Sequence, residues 1–387
     1  MTLPIVYGYP GARWDIVIGR HRLMMEAIAE SQPVIFLNSP RFTGRLMEVK
    51  SPFLEKIHEN LFIVHDAFGF RFSRLGRRLG RVSAKLDAVL IHSLLKSLGV
   101  KDYIYWLSAP SPEMLWGMNI KRLVYDCIDP CFTPQDQQVH DATEAAIVKL
   151  SRLVFCTAES LYEKLAQIHC NVHLLPNACQ APVHQMLRPA LPKPYAAQGH
   201  SGPIIGYMGT FDSRVDTVML TEAARRLPEY TFALPGRINA DQEANVAELR
   251  KLPNVILPGS VSEQEGYAFT AAFDVGLVPF IPGPINDAIN PVKMYMYLAA
   301  GKPVVATWLR ECRRHAPYVY SAQSVTDFVE AIRRSIAEDS DVLREARIAF
   351  AMQNTWEDRA RNALDHLRAT GLLSDCITRQ HITRATD

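Results

Sequence analysis

Short runs of β-branched and aromatic residues alternate with amphipathic stretches along the chain, and after Gly202 the alternation starts again. In the first half the runs are Ile5-Val6-Tyr7, Val34–Leu37, Leu61–Val64, Tyr103–Trp106, Leu123-Val124-Tyr125 and Leu153-Val154-Phe155. Helical patterns such as His21–Glu30 and Ala142–Leu150 separate several of them. In the second half the runs are Pro203–Gly209, Tyr230–Leu234, Val255-Ile256-Leu257, Val275–Val278 and Pro303–Ala306. Apolar strands alternating with helices imply parallel sheets covered on both faces. At 387 residues the chain exceeds what one core holds. Residues 181–202, with Pro182, Pro189, Pro192 and Pro194 and no periodicity, read as a linker. The expected fold is α/β, with two doubly wound Rossmann-like domains facing a cleft. Domain boundaries fall at 1–180 and 203–340, and a helical block over 341–387 is expected to pack back on the first domain. Ligands of such sheets bind beyond the carboxyl ends of the strands.

Bulk composition excludes several classes. Hydrophobic residues make up 48% and charged residues 21%, which fits a globular protein. A net charge of +2 gives no case for nucleic acid as a partner. The seven cysteines are odd in number and several lie in or beside apolar runs, as buried thiols of a reducing, cytoplasmic compartment do. Cys127 and Cys131 lack a second pair at zinc-ligand spacing, so no metal is expected. Met1–Pro10 carries no lysine or arginine and does not read as a signal peptide. Apolar runs such as Val275–Ile281 fall far short of the roughly 20 residues of a spanning helix.

Several constellations carry chemistry. Residues 290–307 place Lys293 at the start of a helix behind Pro291, with Gly301 and Pro303 as the stop. A helix N-terminus with a cation suits a diphosphate. Gly206-Tyr207-Met208-Gly209-Thr210 ends the first strand of the second half, and Arg214 follows where the next helix is expected to begin. Small loop residues admit phosphate close to backbone N–H groups, and an arginine adds a bidentate partner. A purely structural glycine turn is the other reading. Gly236-Arg237 repeats the step more weakly. In the first half, Asp126 and Asp129 stand at a strand's carboxyl end, where one carboxylate can act as general base or simply cap a turn. Asp-x-x-Asp is not the Asp-x-Asp of metal-dependent sugar transfer. Asp15 lies in a loop before the first helix, and His21 at that helix's start is either a substrate contact or a plain helix-face residue. Phe68–Lys85 carries Arg71, Arg74, Arg77, Arg78, Arg81 and Lys85 with no acidic residue, beside phenylalanines. That pattern suits the inner, anionic membrane surface, or else a solvated basic helix.

The ordered set of these blocks resembles bacterial GT-B glycosyltransferases of the glycosyltransferase group 1 type, near teichuronic-acid and exopolysaccharide enzymes. The resemblance runs through Trp14-Asp15, Arg20-His21, Tyr125–Asp129, Leu175–Ala178, Ile205–Thr210, Leu252–Val255, Phe273–Phe280, Asn290–Thr307 and Trp356–Arg359. It implies sugar transfer from a nucleotide-sugar, a UDP-sugar first, to a glycan or lipid-linked acceptor. The nucleotide-sugar is a substrate, so no cofactor and no metal are implied. By position, Gly209, Thr210, Arg214 and Lys293 would hold the diphosphate, and Asn290, Met296 and Tyr297 would flank the donor. Asp126 or Asp129 would do the catalysis, with Asp15 and His21 on the acceptor side. Many relatives carry a Glu-x7-Glu pair here, where this chain has Ala288 and Met296. A thioether is a poor substitute for a carboxylate toward sugar hydroxyls. That departure keeps open a nucleotide-sugar epimerase of the same fold, or a catalytically silent scaffold. The expected location is cytoplasmic, peripheral on the membrane.

Overall fold

The structure is a computed structural model. It describes residues 3–8, 13–14, 19–38, 53–65, 89, 91–110, 115, 120–130, 137–180 and 202–373. The chain divides into two compact units, Met1–Pro176 with Glu357–Asp387, and Asn177–Trp356.

In the first unit the strands are β1 (Ile5–Gly8), β2 (Val34–Leu37), β3 (Phe53–His58), β4 (Leu61–His65), β5 (Ile104–Leu107), β6 (Leu123–Cys127), β7 (Leu153–Cys156) and β8 (Val172–Leu174). They form one sheet in the order β3-β4-β2-β1-β5-β6-β7-β8, parallel except where β3 runs against β4. Central strands such as Ile5–Gly8 and Ile104–Leu107 are buried along their whole length, which is why they read as unbroken apolar runs. Polar, largely exposed β3 and three-residue β8 carry no such signal and went unread in the sequence.

In the second unit the strands are β9 (Ile204–Gly206), β10 (Thr231–Ala233), β11 (Val255–Ile256), β12 (Val275–Val278), β13 (Val304–Thr307) and β14 (Val319–Ala322). All pair in parallel in the order β11-β10-β9-β12-β13-β14. Numbered within the unit this is 3-2-1-4-5-6, the doubly wound order, and the winding reverses between β9 and β12. Two glycines set the layer spacing there. A Cβ on Gly206 would stand 2.2 Å from the Phe273 ring, and one on Gly276 would stand 2.3 Å from the Tyr297 ring. The helix Val292–Ala299 can therefore lie directly on β12. Gly301, at φ +73°, closes that helix. Its N–H donates to Leu298 O at 2.9 Å and the Lys302 N–H to Tyr297 O at 2.9 Å, a Schellman closure.

The helical block expected over 341–387 is divided. Helix Asp341–Met352 belongs to the second unit, where buried Arg347 donates to Gly301 O at 2.8 Å and pairs with Asp339. From Glu357 onward the chain belongs to the first unit. Near the crossing points Cys179 and Thr355 pair, with Cys179 N–H donating to Asn354 O at 3.0 Å and Trp356 N–H to Cys179 O at 3.2 Å. No helix among the described residues is long and apolar enough to cross a membrane.

Helix Trp356–Ala369 meets β7 and β8 through His366. Its ring lies 3.8 Å from that of His173 and edge-on to Phe155 at 5.9 Å. Burial holds both imidazoles below the ordinary histidine range, and the His366 charge adds to the effect on His173. Asn171 Oδ1 stands 2.8 Å from His173 Nε2, and neighbouring Asp365 acts weakly the other way on His366. As pH falls below about 6.5, the unfolded chain takes up these protons before the folded one does, so stability drops. His366→Phe is expected to retain more of its neutral-pH Tm at pH 5.5 than the unmodified protein does. Coinciding Tm–pH profiles would refute the coupling.

Candidate functional site

β9 ends at Gly206, and the next residues form a tight loop at the switch point of the second sheet. Tyr207 is buried, and its hydroxyl donates to Thr210 O at 2.9 Å, closing the loop on itself. Met208 N–H donates to the Tyr297 hydroxyl at 2.8 Å, and Gly209 N–H to Pro235 O at 3.1 Å. Gly236 lies so close that a Cβ there would stand 1.8 Å from Gly209 O. The loops after β9 and β10 thus touch through glycines.

Lys293, in the first turn of helix Val292–Ala299, reaches this loop. Its Nζ donates to the Tyr207 hydroxyl at 3.1 Å and lies 4.2 Å from the Tyr207 ring centre and 4.7 Å from that of Phe280. A Cβ on Gly209, whose φ is +151°, would stand 2.9 Å from that ammonium. Glycine is what lets the cation rest against the loop backbone. Phe280 also underlies Arg214, whose guanidinium carbon is 5.5 Å from the ring centre. Arg214 grips Asp212, Nη2 to Oδ2 at 2.6 Å and Nε to Oδ1 at 3.0 Å.

The electrostatics follow from this crowding. Burial, then the Arg214 charge, push the Lys293 ammonium down to about 7, with Asp212 pulling partly the other way. Burial alone would raise Asp212, but the Arg214 hydrogen bonds and charge outweigh it and hold the carboxyl below its usual range. The Tyr207 hydroxyl is pushed up, by burial first. Two cations beside one phenylalanine ring, sharing one carboxylate, make a place that gains from a bound anion.

Gly209, Thr210, Arg214 and Lys293 therefore gather in one loop cluster. Arg214 does not begin the next helix as expected: Asp216 caps Thr217–Arg226 by accepting from Met219 N–H at 2.8 Å. Asn290 and Tyr297, expected to flank the donor, are both buried. Asn290 is 2% exposed; its Oδ1 accepts from Asn177 N–H at 2.9 Å and its Nδ2 donates to Glu311 at 3.2 Å. Tyr297 is fully buried, with the hydroxyl occupied by Met208. Met296 is partly buried against the same core, and Arg237 is exposed. The sequence reading missed Tyr207, Phe280 and Asp212. Their only signal was two aromatics beside strand ends and an acid two residues from an arginine.

In the first unit the two candidate carboxylates stand in different surroundings. Asp126 is 2% exposed and both of its oxygens are taken. Oδ1 accepts from Arg20 Nη2 at 2.9 Å, and Oδ2 accepts from Arg20 Nε at 3.2 Å and Trp106 Nε1 at 3.3 Å. Arg20 also donates to Pro176 O at 3.2 Å. A carboxylate held this way ties β6 to helix Arg20–Ala29. Asp129, just past β6, is only half-buried. His21 is half-buried on the first helix, 6.3 Å from the Phe36 ring. Asp15 and Phe68–Lys85 lie outside the described residues. Among the described residues His140, Asp141 and Glu144 cluster at metal-ligand spacing, but Lys164 Nζ already donates to both carboxylates at 2.7 Å.

Residues 202–338 match the family model of the glycosyl transferases group 1. TuaH of Bacillus subtilis (strain 168), assigned as a teichuronic acid biosynthesis glycosyltransferase, is 26% identical over 363 residues, covering 87% of this chain and 89% of TuaH. The sucrose-phosphate synthase of Thermosynechococcus elongatus superposes with a TM-score of 0.71 at 16% identity, over 96% of this chain and 99% of its own. A trehalose-6-phosphate protein of E. coli, bound with UDP-2-fluoro glucose, gives 0.70 at 12% identity, over 94% and 98%. These structures share the two-domain Rossmann-like fold.

Two outcomes follow from the geometry. Inorganic pyrophosphate is expected to bind more weakly as pH rises from 6 to 9, because Lys293 deprotonates from about 7 upward in the free protein. Lys293→Arg, charged throughout, should keep binding and lose most of that slope in calorimetry; an unchanged slope would remove Lys293 from the site. Arg20→Ala should lower unfolding stability by about 3–5 kcal/mol in urea, because it strands the buried Asp126 charge.

Proposed function

We propose that this chain, a glycosyltransferase of the group 1 type, moves a sugar from a UDP-sugar to a glycan or lipid-linked acceptor in cell-surface polysaccharide assembly. The observation that carries the reading is the Lys293 ammonium resting against Gly209, with Arg214 beside the same Phe280 ring. As the bond between sugar and diphosphate breaks, negative charge grows on the departing nucleotide. Cations already fixed at that place stabilise it without reorganising. Bound diphosphate favours the charged form of Lys293, so donor binding itself completes the protonation that its burial opposes. Arg214 exchanges Asp212 for phosphate, one charge-assisted pair for another, which keeps the net expense small. Two side-chain cations make this a metal-independent mode of leaving-group stabilisation.

Asp129 is our candidate for removing the acceptor hydroxyl's proton, because it is half-buried just past β6 whereas Asp126 is 2% exposed. UDP is preferred as the base-bearing half because structural neighbours include trehalose-phosphate synthases described as UDP-forming. The polysaccharide role rests on the likeness to TuaH. Contact with an anionic membrane rests on the composition of Phe68–Lys85. A second reading, a nucleotide-sugar epimerase, is motivated by Met296 where relatives carry a carboxylate.

Calorimetry with UDP, GDP, ADP and dTDP tests the core of this. UDP should bind, and Lys293→Ala should weaken it by about 10–100-fold, the range of one lost charge-assisted hydrogen bond. Asp129→Asn should leave UDP affinity in place and lower turnover on membrane-derived acceptor at least 100-fold. Binding of none of these nucleotides would end the transferase reading. Conversion of a UDP-sugar to its epimer without acceptor would favour the second one.

A further inference from the structure

A cavity of about 540 Å³ lies on the second unit, apart from the Lys293 cluster. It opens between edge strand β14 and helix Val325–Ala337, over a floor that includes buried Val319 and Ala331. Its volume falls within the roughly 300–1,000 Å³ usual for small-ligand sites. One wall is Trp308, the residue immediately after β13. It is 38% exposed, although its neighbours Thr307 and Leu309 are fully buried. The Arg313 guanidinium lies 4.7 Å from the centre of the Trp308 ring.

Polar groups ring this aromatic wall. The Tyr320 hydroxyl donates to Glu338 at 2.9 Å, with Arg334 5.7 Å from its ring centre. Ser321 Oγ is buried with no hydrogen-bond partner among the described residues. Asp327, Glu330, Glu338 and Arg334 line the cavity; Glu330 also pairs with Arg333 Nη1 at 3.0 Å, and Asp327 accepts from the Ser324 N–H at 3.1 Å. An acidic lining repels a phosphate or carboxylate ligand and suits neutral hydroxyls, which donate to carboxylates and to a serine oxygen. A pyranose offers that hydroxyl rim together with an apolar C–H face for an indole.

Position adds to chemistry. β13 neighbours β12, and β14 keeps register with it through Ala306–Ser321 and Thr307–Ala322. Trp308 therefore stands at the carboxyl end of the sheet, as the Lys293 cluster does. β13 is two places from β9, about 10 Å at ordinary strand spacing. We propose that this cavity is a glycan subsite, taking a neutral sugar unit of an oligosaccharide stacked on Trp308 and hydrogen-bonded to the Ser321 and Glu330 side chains. The choice of a glycan as the neutral ligand rests on the transferase reading.

Full-length protein titrated with neutral gluco-, galacto- and N-acetylglucosamine trisaccharides tests it by calorimetry, with the Trp308 indole N–H followed by NMR. At least one trisaccharide should saturate and shift that signal. Trp308→Ala, and separately Glu330→Gln, should each weaken binding at least tenfold while UDP affinity stays within twofold. A matching uronic-acid trisaccharide should bind at least tenfold more weakly than the neutral one. No saturation by any trisaccharide, undiminished binding in both variants, or equal binding of the acidic sugar would overturn the subsite. UDP binding measured on the same samples separates the two claims: its absence overturns the transferase reading, whereas lost saccharide binding with UDP intact overturns only the subsite.

Discussion

The Tyr297 ring lies flat enough on β12 that Gly276 admits no Cβ, and its hydroxyl accepts from the Met208 backbone. That one side chain fixes two things at once. It sets the depth of the helix bearing Lys293, and it pins the loop that Lys293 must meet. A smaller residue would leave a cavity under the helix, and a phenylalanine would strand a backbone N–H in a crowded place. The chemistry of the second unit depends on this contact, because an ammonium held 3.1 Å from Tyr207 tolerates little drift. Tyr297 thus supports the cluster from within the core.

Lys293 is accordingly held where its charge is disfavoured. Aromatic faces and one carboxylate only partly replace the water it has lost, so the proton is weakly held at neutral pH. Asp212 has the opposite history. Paired with Arg214, it stays charged in a place that would otherwise neutralise it. The loop therefore stores an internal ion pair beside an incompletely compensated lysine. A dianionic ligand, as proposed, would relieve the lysine and could take over the arginine. A structural ion pair alone would not leave the neighbouring cation so poorly served.

Much of the architecture was legible because parallel strands buried on both faces must be apolar along their length. β1, β2, β5, β12 and β13 are such runs, and Gly301 with Pro303 announced the end of the Lys293 helix. What escaped was long-range pairing. Arg20 and Asp126 are 106 positions apart, and Asn177 and Asn290 are 113 apart. Spacing rules see only neighbours on one helix or strand, so a buried carboxylate at a strand end reads the same whether it is a base or half of a salt bridge. Tyr207 and Phe280 escaped for a related reason: an aromatic beside an apolar strand reads as core, and only the fold shows a cation on its face.

Asp126 and Asp129 show how the backbone divides two similar residues. On a strand, successive side chains alternate between faces. Asp126 still belongs to β6, so its side chain is committed to the sheet's covered interior, where an arginine must meet it or its charge is untenable. Asp129 comes after the last paired residue, Cys127, and is freed from that alternation. A group that must take and return a proton needs access and an environment that changes with its ligand. Past the strand's last paired residue the side chain is less enclosed, which favours Asp129 over Asp126 as the proposed base.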